Sequence, residues 1–187
     1  MLKDISFSVK AGSNTAIIGP TAAGKSQLLL LLTNIIPSDS GSLEFDSIPI
    51  AKYSKEVFHR HIGFVFQDSV IFNMTLRENI AFSDNVTEES LLKAIETAEL
   101  TDFIESLPEK LDTVVAERGT SLSGGQKQRI MLARALAINP KILLLDDFTS
   151  RVDRQTENKI LCNIRNNYPG MTLLSVTQKI APVRHFD

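Results

Sequence analysis

The chain of 187 residues has one cysteine, Cys162. That excludes an internal disulfide and fits a reducing compartment. No neighbouring residue in the sequence would lower the thiol pKa, so Cys162 reads as a small core or surface residue rather than a nucleophile. There is no excess of positive charge: the formal net charge is −2, which gives no footprint for nucleic acid or an anionic membrane surface. Long apolar runs are missing too. The longest leucine run is Leu28 to Leu32, far short of the roughly 18–20 residues a membrane span needs. Met1 to Gly12 is charged and alternating, which is not the pattern of a signal peptide. A role at a membrane would therefore rely on another segment or chain. His59, His61 and His185 have no carboxylate or cysteine at ligand spacing, so no metal cluster is expected. No internal repeat or low-complexity linker interrupts the chain.

The length suits one domain with a real core. Ile5 to Val9 alternates apolar and polar and predicts a half-buried strand. Thr15 to Gly19, Ile62 to Phe66, the run "KILLLDD" and "MTLLSVT" read as further strands, the apolar ones buried. Helices are predicted from Lys25 to before Pro37, from Thr87 with acids in its first turn, over "DFIESL", from Gly124 to Ile138 with Asn139-Pro140 ending it, and over "TENKILCNIRNN". Strands at both ends with helices between them predict an α/β sheet domain interrupted by a helical insert, roughly Asp68 to Ala135.

"GPTAAGKS", Gly19 to Ser26, fits G-x-x-x-x-G-K-[ST] between a strand and a helix. Backbone N–H groups of such a loop and of the helix start point at phosphate oxygens. Gly24 lets the backbone approach without a Cβ. Lys25 places a charge on the β/γ-phosphates, and Ser26 is a Mg²⁺ ligand candidate. Asp146 ends an apolar strand at the sheet edge where ligands bind, the place of the acid that holds Mg²⁺ in a phosphate-loop ATPase. Asp147 follows and, by strand alternation, is expected to point elsewhere. A carboxylate beside the metal ligand is suited to polarising the attacking water. Around the start of the third long helix, Ser123 and Gln126 fit a capping box. Gly124 and Gly125 leave that positively polarised helix end bare, a second phosphate-binding surface. One nucleotide needs only one phosphate loop, so the second surface is best explained as serving another chain's nucleotide.

At these residues the chain resembles the ATP-binding cassette (ABC) family, specifically the nucleotide-binding domain of an exporter. "GPTAAGKS" looks like the Walker A loop, with Gly19, Pro20, Thr21, Ala22, Ala23, Gly24, Lys25, Ser26 and Gln27 as its nucleotide contacts. Gln67 looks like the Q-loop glutamine that reaches Mg²⁺. "LSGGQ" is the intact signature, and Ser123, Gly124, Gly125 and Gln126 are its binding residues. "ILLLDD" resembles Walker B, "SRVD" the D-loop, and Glu117 in "AERG" the exporter loop that contacts the membrane domain. The resemblance implies a RecA-like P-loop NTPase core at 1–67 and 136–187, with a small antiparallel β part and a helical signature subdomain at 68–135. It implies ATP and Mg²⁺ as cofactors, with Mg²⁺ held by Ser26, Gln67 and Asp146. It also implies the membrane domain's coupling helices as partners, and a place on the cytoplasmic face of the cell membrane. Val70 and Ile71, with some of Phe72, Phe82 and Phe103, are candidates for the groove those helices occupy.

Several positions depart from the family pattern. Asp147 stands where the family has a glutamate that positions the water, and Gln178 where it has a switch histidine. Ala22 replaces a preferred glycine and Gln27 a preferred hydroxyl residue. Arg151 and Val152 replace the usual alanine and leucine. The aromatic residue that stacks on adenine has no counterpart upstream of Ile5, and Tyr53 is poorly placed to substitute. Both catalytic changes, at Asp147 and Gln178, fall on one site while the signature is intact. In a family whose domains dimerise head to tail, this predicts the degenerate-site half of a heterodimeric exporter. The rivals are a slow homodimer, a soluble non-transport ABC ATPase, which would be expected to show basic surface or tandem cassettes, and a regulatory ATP-binding subunit.

Overall fold

The computed structural model of the chain describes residues 2–68, 70–115, 122–178, 183 and 186. At its centre lie four parallel strands: β1 (Asn14–Ile18), β4 (Ile62–Val65), β5 (Ile142–Asp146) and β6 (Thr172–Thr177), in the order β1-β6-β5-β4. The register is continuous, with Asn14 opposite Leu173, Leu143 opposite Leu173 and Gly63 opposite Leu143. These are short, aliphatic runs, as expected of strands covered on both faces. Leu144, Leu174 and Val176 turn to one side and pack with Leu29 and Phe58, from α1 (Lys25–Leu32) and α2 (Lys55–His59). Leu143, Leu145 and Leu173 turn to the other, against Ile130, Leu132 and Leu136 of α6 (Gly124–Ala137) and Ile160 and Ile164 of α7 (Arg154–Asn167). A two-stranded antiparallel pair, β2 (Glu44–Phe45) and β3 (Ile48–Pro49), lies apart from the main sheet. The fold is the α/β P-loop NTPase class expected from the sequence.

The middle of the chain is helical: α3 (Leu76–Ile80), α4 (Glu88–Thr97) and α5 (Thr101–Glu105). Thr75, Thr87 and Ser123 each open a helix with a reciprocal capping box, each satisfying two backbone donors at the helix start. Helix α6 reaches β4 most closely at Gly63, where a Cβ would lie 2.6 Å from the Ala135 carbonyl oxygen. Gly63→Ala is therefore expected to cost about 1–3 kcal/mol, the usual cost of overpacking a core, read as a lower urea midpoint at unchanged slope.

One expected strand does not form. Ile5 to Val9 has no strand partner among the described residues, and Ile5 and Phe7 are 49% and 46% exposed. Alternation marks a segment suited to a half-buried surface but supplies no neighbour to pair with. Helices α2 and α3, only five residues each, carry too little periodicity to be read from sequence.

Candidate active site

β1 ends at Ile18 and α1 begins at Lys25, so Gly19 to Gly24 form the connecting loop. Gly24 is left-handed, φ +87°, and no side chain caps the start of α1, leaving its first N–H groups facing the loop. Lys25 Nζ donates to the Gly19 and Pro20 carbonyls, each at 2.8 Å. The ammonium thus sits inside the loop, against two carbonyl dipoles. The Gly19 N–H donates to Thr177 O at 3.4 Å, tying the loop to the end of β6. Ala22 has φ +64°, a conformation that costs an ordinary L-residue about 1–2 kcal/mol. That cost accounts for a glycine preference at this position. Leu2 packs over Gly24, where a Cβ would lie 2.8 Å from Leu2 Cδ2.

Facing the loop are Gln67, just past β4, Asp146 and Asp147 at the end of β5, and Gln178 just past β6. Together with the segment Thr21 to Gln27 they line an open cleft of about 330 Å³. The sequence placed Asp147 away from Asp146; the structure puts both in the cleft. The strand ends at Asp146, and Asp147 is left-handed at φ 45°, ψ 37°, so strand alternation no longer governs it. Aspartate is among the few residues that adopt this conformation readily. The Thr21 hydroxyl donates to Gln178 Oε1 at 3.2 Å, bridging the phosphate loop and the switch position.

Asp146 is buried, with 6% of its surface exposed. Burial raises its pKa; the Ser26 hydrogen bond and Lys25 oppose the rise, while Asp147 and Asp68 add to it. A carboxyl whose folded pKa lies above its unfolded value binds more protons when folded. Its stabilising contribution is therefore present at low pH and lost as pH rises through the folded pKa. Ionising Asp146 in the folded chain therefore works against its desolvation. Asp146→Asn is expected to raise the melting temperature of the nucleotide-free protein by about 2–4 °C, the shift worth ~1 kcal/mol at this size. It is also expected to abolish any further stabilisation by Mg²⁺. Calorimetry with and without Mg²⁺ and nucleotide reads both effects.

Ser123, Gly124, Gly125 and Gln126, expected to form a second phosphate surface, do not line the cleft. The Ser123 side chain accepts from the Gln126 N–H at 3.2 Å, and Gln126 Oε1 accepts from the Ser123 N–H at 2.8 Å. Arg151 lies against the two glycines, where Cβ atoms would come 3.2 Å from Arg151 Cδ at Gly124 and 2.9 Å from Arg151 O at Gly125. Val152 is buried beneath. Glu117 and His185 lie outside the described residues.

Tyr53 donates its hydroxyl to Phe45 O and packs on Phe58, away from the cleft. His59 Nε2 bonds Thr33 O, and among the described residues no His, Cys, Asp and Glu side chains gather into a metal cluster. Ile71 is buried in the core, whereas Val70 and Phe82 are each 54% exposed and Phe72 stacks on Phe82. Sequence reasoning missed Asp68, which acts electrostatically on Asp146. Its position directly after Gln67 was the available signal.

Together, the phosphate loop, the acid-tipped strand and the separate helix that opens on Ser123 and two glycines define a P-loop domain of the cassette type. The family model described as ABC transporter matches residues 2–150, and the chain belongs to that family. It is 41% identical over 187 residues to the probable multidrug resistance ABC transporter ATP-binding/permease protein YheI of Bacillus subtilis (strain 168), covering all of this chain and 32% of that protein. It is 39% identical over the same length, covering 32% of the relative, to the beta-(1→2)glucan export ATP-binding/permease protein NdvA of Rhizobium johnstonii. A solved bacterial Atm1-family ABC exporter with ATP bound superposes with a TM-score of 0.94 at 39% identity, over the whole chain and 33% of the exporter. The chain thus spans about a third of the length of the exporters it matches. Among the described residues no helix is long and apolar enough to cross a membrane.

Proposed function

We propose that this chain is the ATP-binding module of a heterodimeric ABC exporter, and that its own nucleotide site is catalytically weak. The observation that carries the reading is the separation of two surfaces. Asp147 and Gln178, the two substituted catalytic positions, share the cleft with the phosphate loop. The unaltered signature at Ser123 to Gln126 lies outside it.

The cleft's chemistry fits MgATP. Lys25 is an ammonium held by two loop carbonyls, ready to exchange them for phosphate oxygens. The uncapped start of α1 and the loop N–H groups around Gly24 suit the same anion. Ser26, Gln67 and Asp146 are hard oxygen donors suited to Mg²⁺. ATP supplies the phosphoanhydride bond that water attacks. The chain's part is to bind the phosphates, to orient that water through Asp147, and to hydrogen-bond the terminal phosphate through Gln178. Aspartate is one methylene shorter than glutamate, and an amide neither carries charge nor relays a proton as imidazole does. Ser123, Gly124, Gly125 and Gln126 would complete the partner's competent site.

On this reading 1–67 and 136–187 form the ATP-binding core and 68–135 the signature-bearing helical unit. Coupling helices of a transmembrane domain would dock near the exposed Val70 and Phe82, on the cytoplasmic face of the membrane. The test is nucleotide counting in the full-length complex during one turnover: two ATP bound per complex and one hydrolysed rapidly. Two rapid hydrolyses would sink the proposal.

A further inference from the structure

Arg134, on α6, is a half-buried cation, and among the described residues it has no salt-bridge partner. Desolvation lowers its pKa to about 10. Its guanidinium lies 5.2 Å from the ring centroids of both Phe72 and Phe82, which stack on each other at 4.9 Å. Its N–H groups reach backbone and amide oxygens and one sulfur: Nη1 donates to Val70 O at 3.0 Å and to Met131 Sδ at 3.2 Å, Nη2 to Asn79 Oδ1 at 3.0 Å, and Nε to Asn79 O. Asn79, itself fully buried, accepts from the Phe72 N–H and donates to the carbonyls of Phe72, Met74 and Thr75. Even partial desolvation of an ion is costly, and a methionine or leucine would fill this space without that cost. What the guanidinium adds is a fixed fork of donors aimed at one stretch of backbone.

That stretch leads to the cleft. Gln67 lies between two points at which α6 grips the chain. Before it, Gly63 meets the Ala135 carbonyl so closely that a methyl group would not fit. After it, Arg134, the neighbour of Ala135, holds Val70 O. We infer that Arg134 is a positioning residue for Gln67: through Val70 and the Asn79 hub it fixes the segment that carries Gln67 to the helix whose first turn bears the signature. The inference rests on the reading of the cleft as a MgATP site. Arg134 touches neither ATP nor Mg²⁺; it decides where a proposed Mg²⁺ ligand stands. It also gives α6 a direct hold on both phosphate surfaces, the cleft at one end and Ser123 to Gln126 at the other.

The test measures photo-crosslinking of an azido-ATP probe to this chain in the full-length complex, in EDTA and in Mg²⁺. Arg134→Lys keeps the charge but loses the fork. It is expected to cut the Mg²⁺ enhancement of labelling about tenfold, the scale on which residues supporting a metal ligand act, and to leave labelling in EDTA within about twofold. Phe82→Leu, at an exposed ring, removes one of the two rings beside the guanidinium without a core cavity and is expected to move the enhancement the same way by about threefold. Gln67→Ala should match Arg134→Lys, and the double variant should be no worse than either single one. An unchanged enhancement in Arg134→Lys, a parallel fall in EDTA, or additive losses in the double variant would overturn the inference. Absence of labelling in the wild-type chain would instead overturn the cleft reading, and this inference with it.

Discussion

Asp147→Glu combined with Gln178→His is expected to raise single-turnover hydrolysis in this chain's cleft about a hundredfold, the scale on which a ~1 Å misplacement of a catalytic group acts. The glutamate restores one methylene of reach, and the histidine restores a group that can donate, accept and change charge near neutral pH. The backbone works against the first change. Asp147 is left-handed at φ 45°, a conformation natural to aspartate and costing a longer L-residue about 1 kcal/mol. The double variant should therefore be faster and slightly less stable than the wild type. Rapid quench of the full-length complex, with the partner's catalytic glutamate changed to glutamine, isolates the site. Equal and unchanged turnover at both sites would mean that Asp147 and Gln178 already suffice.

Gly125→Ala is expected to have an effect of similar size on the other surface. The added Cβ would lie 2.9 Å from Arg151 O, a backbone atom that cannot rotate away. Either α6 or the 148–151 turn must move, and with it the capped helix end at Ser123. Hydrolysis at the partner's site should fall about a hundredfold, while ATP binding in this chain's own cleft stays within about twofold. Loss confined to the chain's own cleft would reverse the assignment of the two surfaces. Arg151 sharpens the contrast, because its side chain already crowds Gly124.

Local chemistry was legible in the sequence. A strand, a glycine loop, a lysine and a helix lie within about twenty consecutive residues, the helix start at Thr87 is marked by the acids that follow it, and the capping box at Ser123 spans four residues. Alternation failed where it lacked a partner or ran past its range. Ile5 to Val9 has the pattern of a strand and no neighbour, and Asp147 sits one residue beyond the strand that was meant to orient it. Arg134 could not be found this way at all. Its oxygen partners on Asn79 and Val70 lie 55 and 64 positions away, and nothing in a helical run of apolar and basic residues marks one arginine as turned inward. Asp146 was placed by its strand, but its desolvation is a property of the packed sheet.

The strand order sets a timetable for folding. β1 lies beside β6, and Gly12 bonds Thr172 across 160 positions of chain. Such pairing has high contact order and forms late. A ribosome adding about 5–20 residues per second would therefore have made the phosphate loop on the order of ten seconds before the strand that braces it exists. The helical middle, whose contacts are mostly nearer in sequence, would be packed by then. Truncations that end before Thr172 should leave a collapsed helical unit with an unbraced phosphate loop, visible as protease cleavage between Ile18 and Lys25.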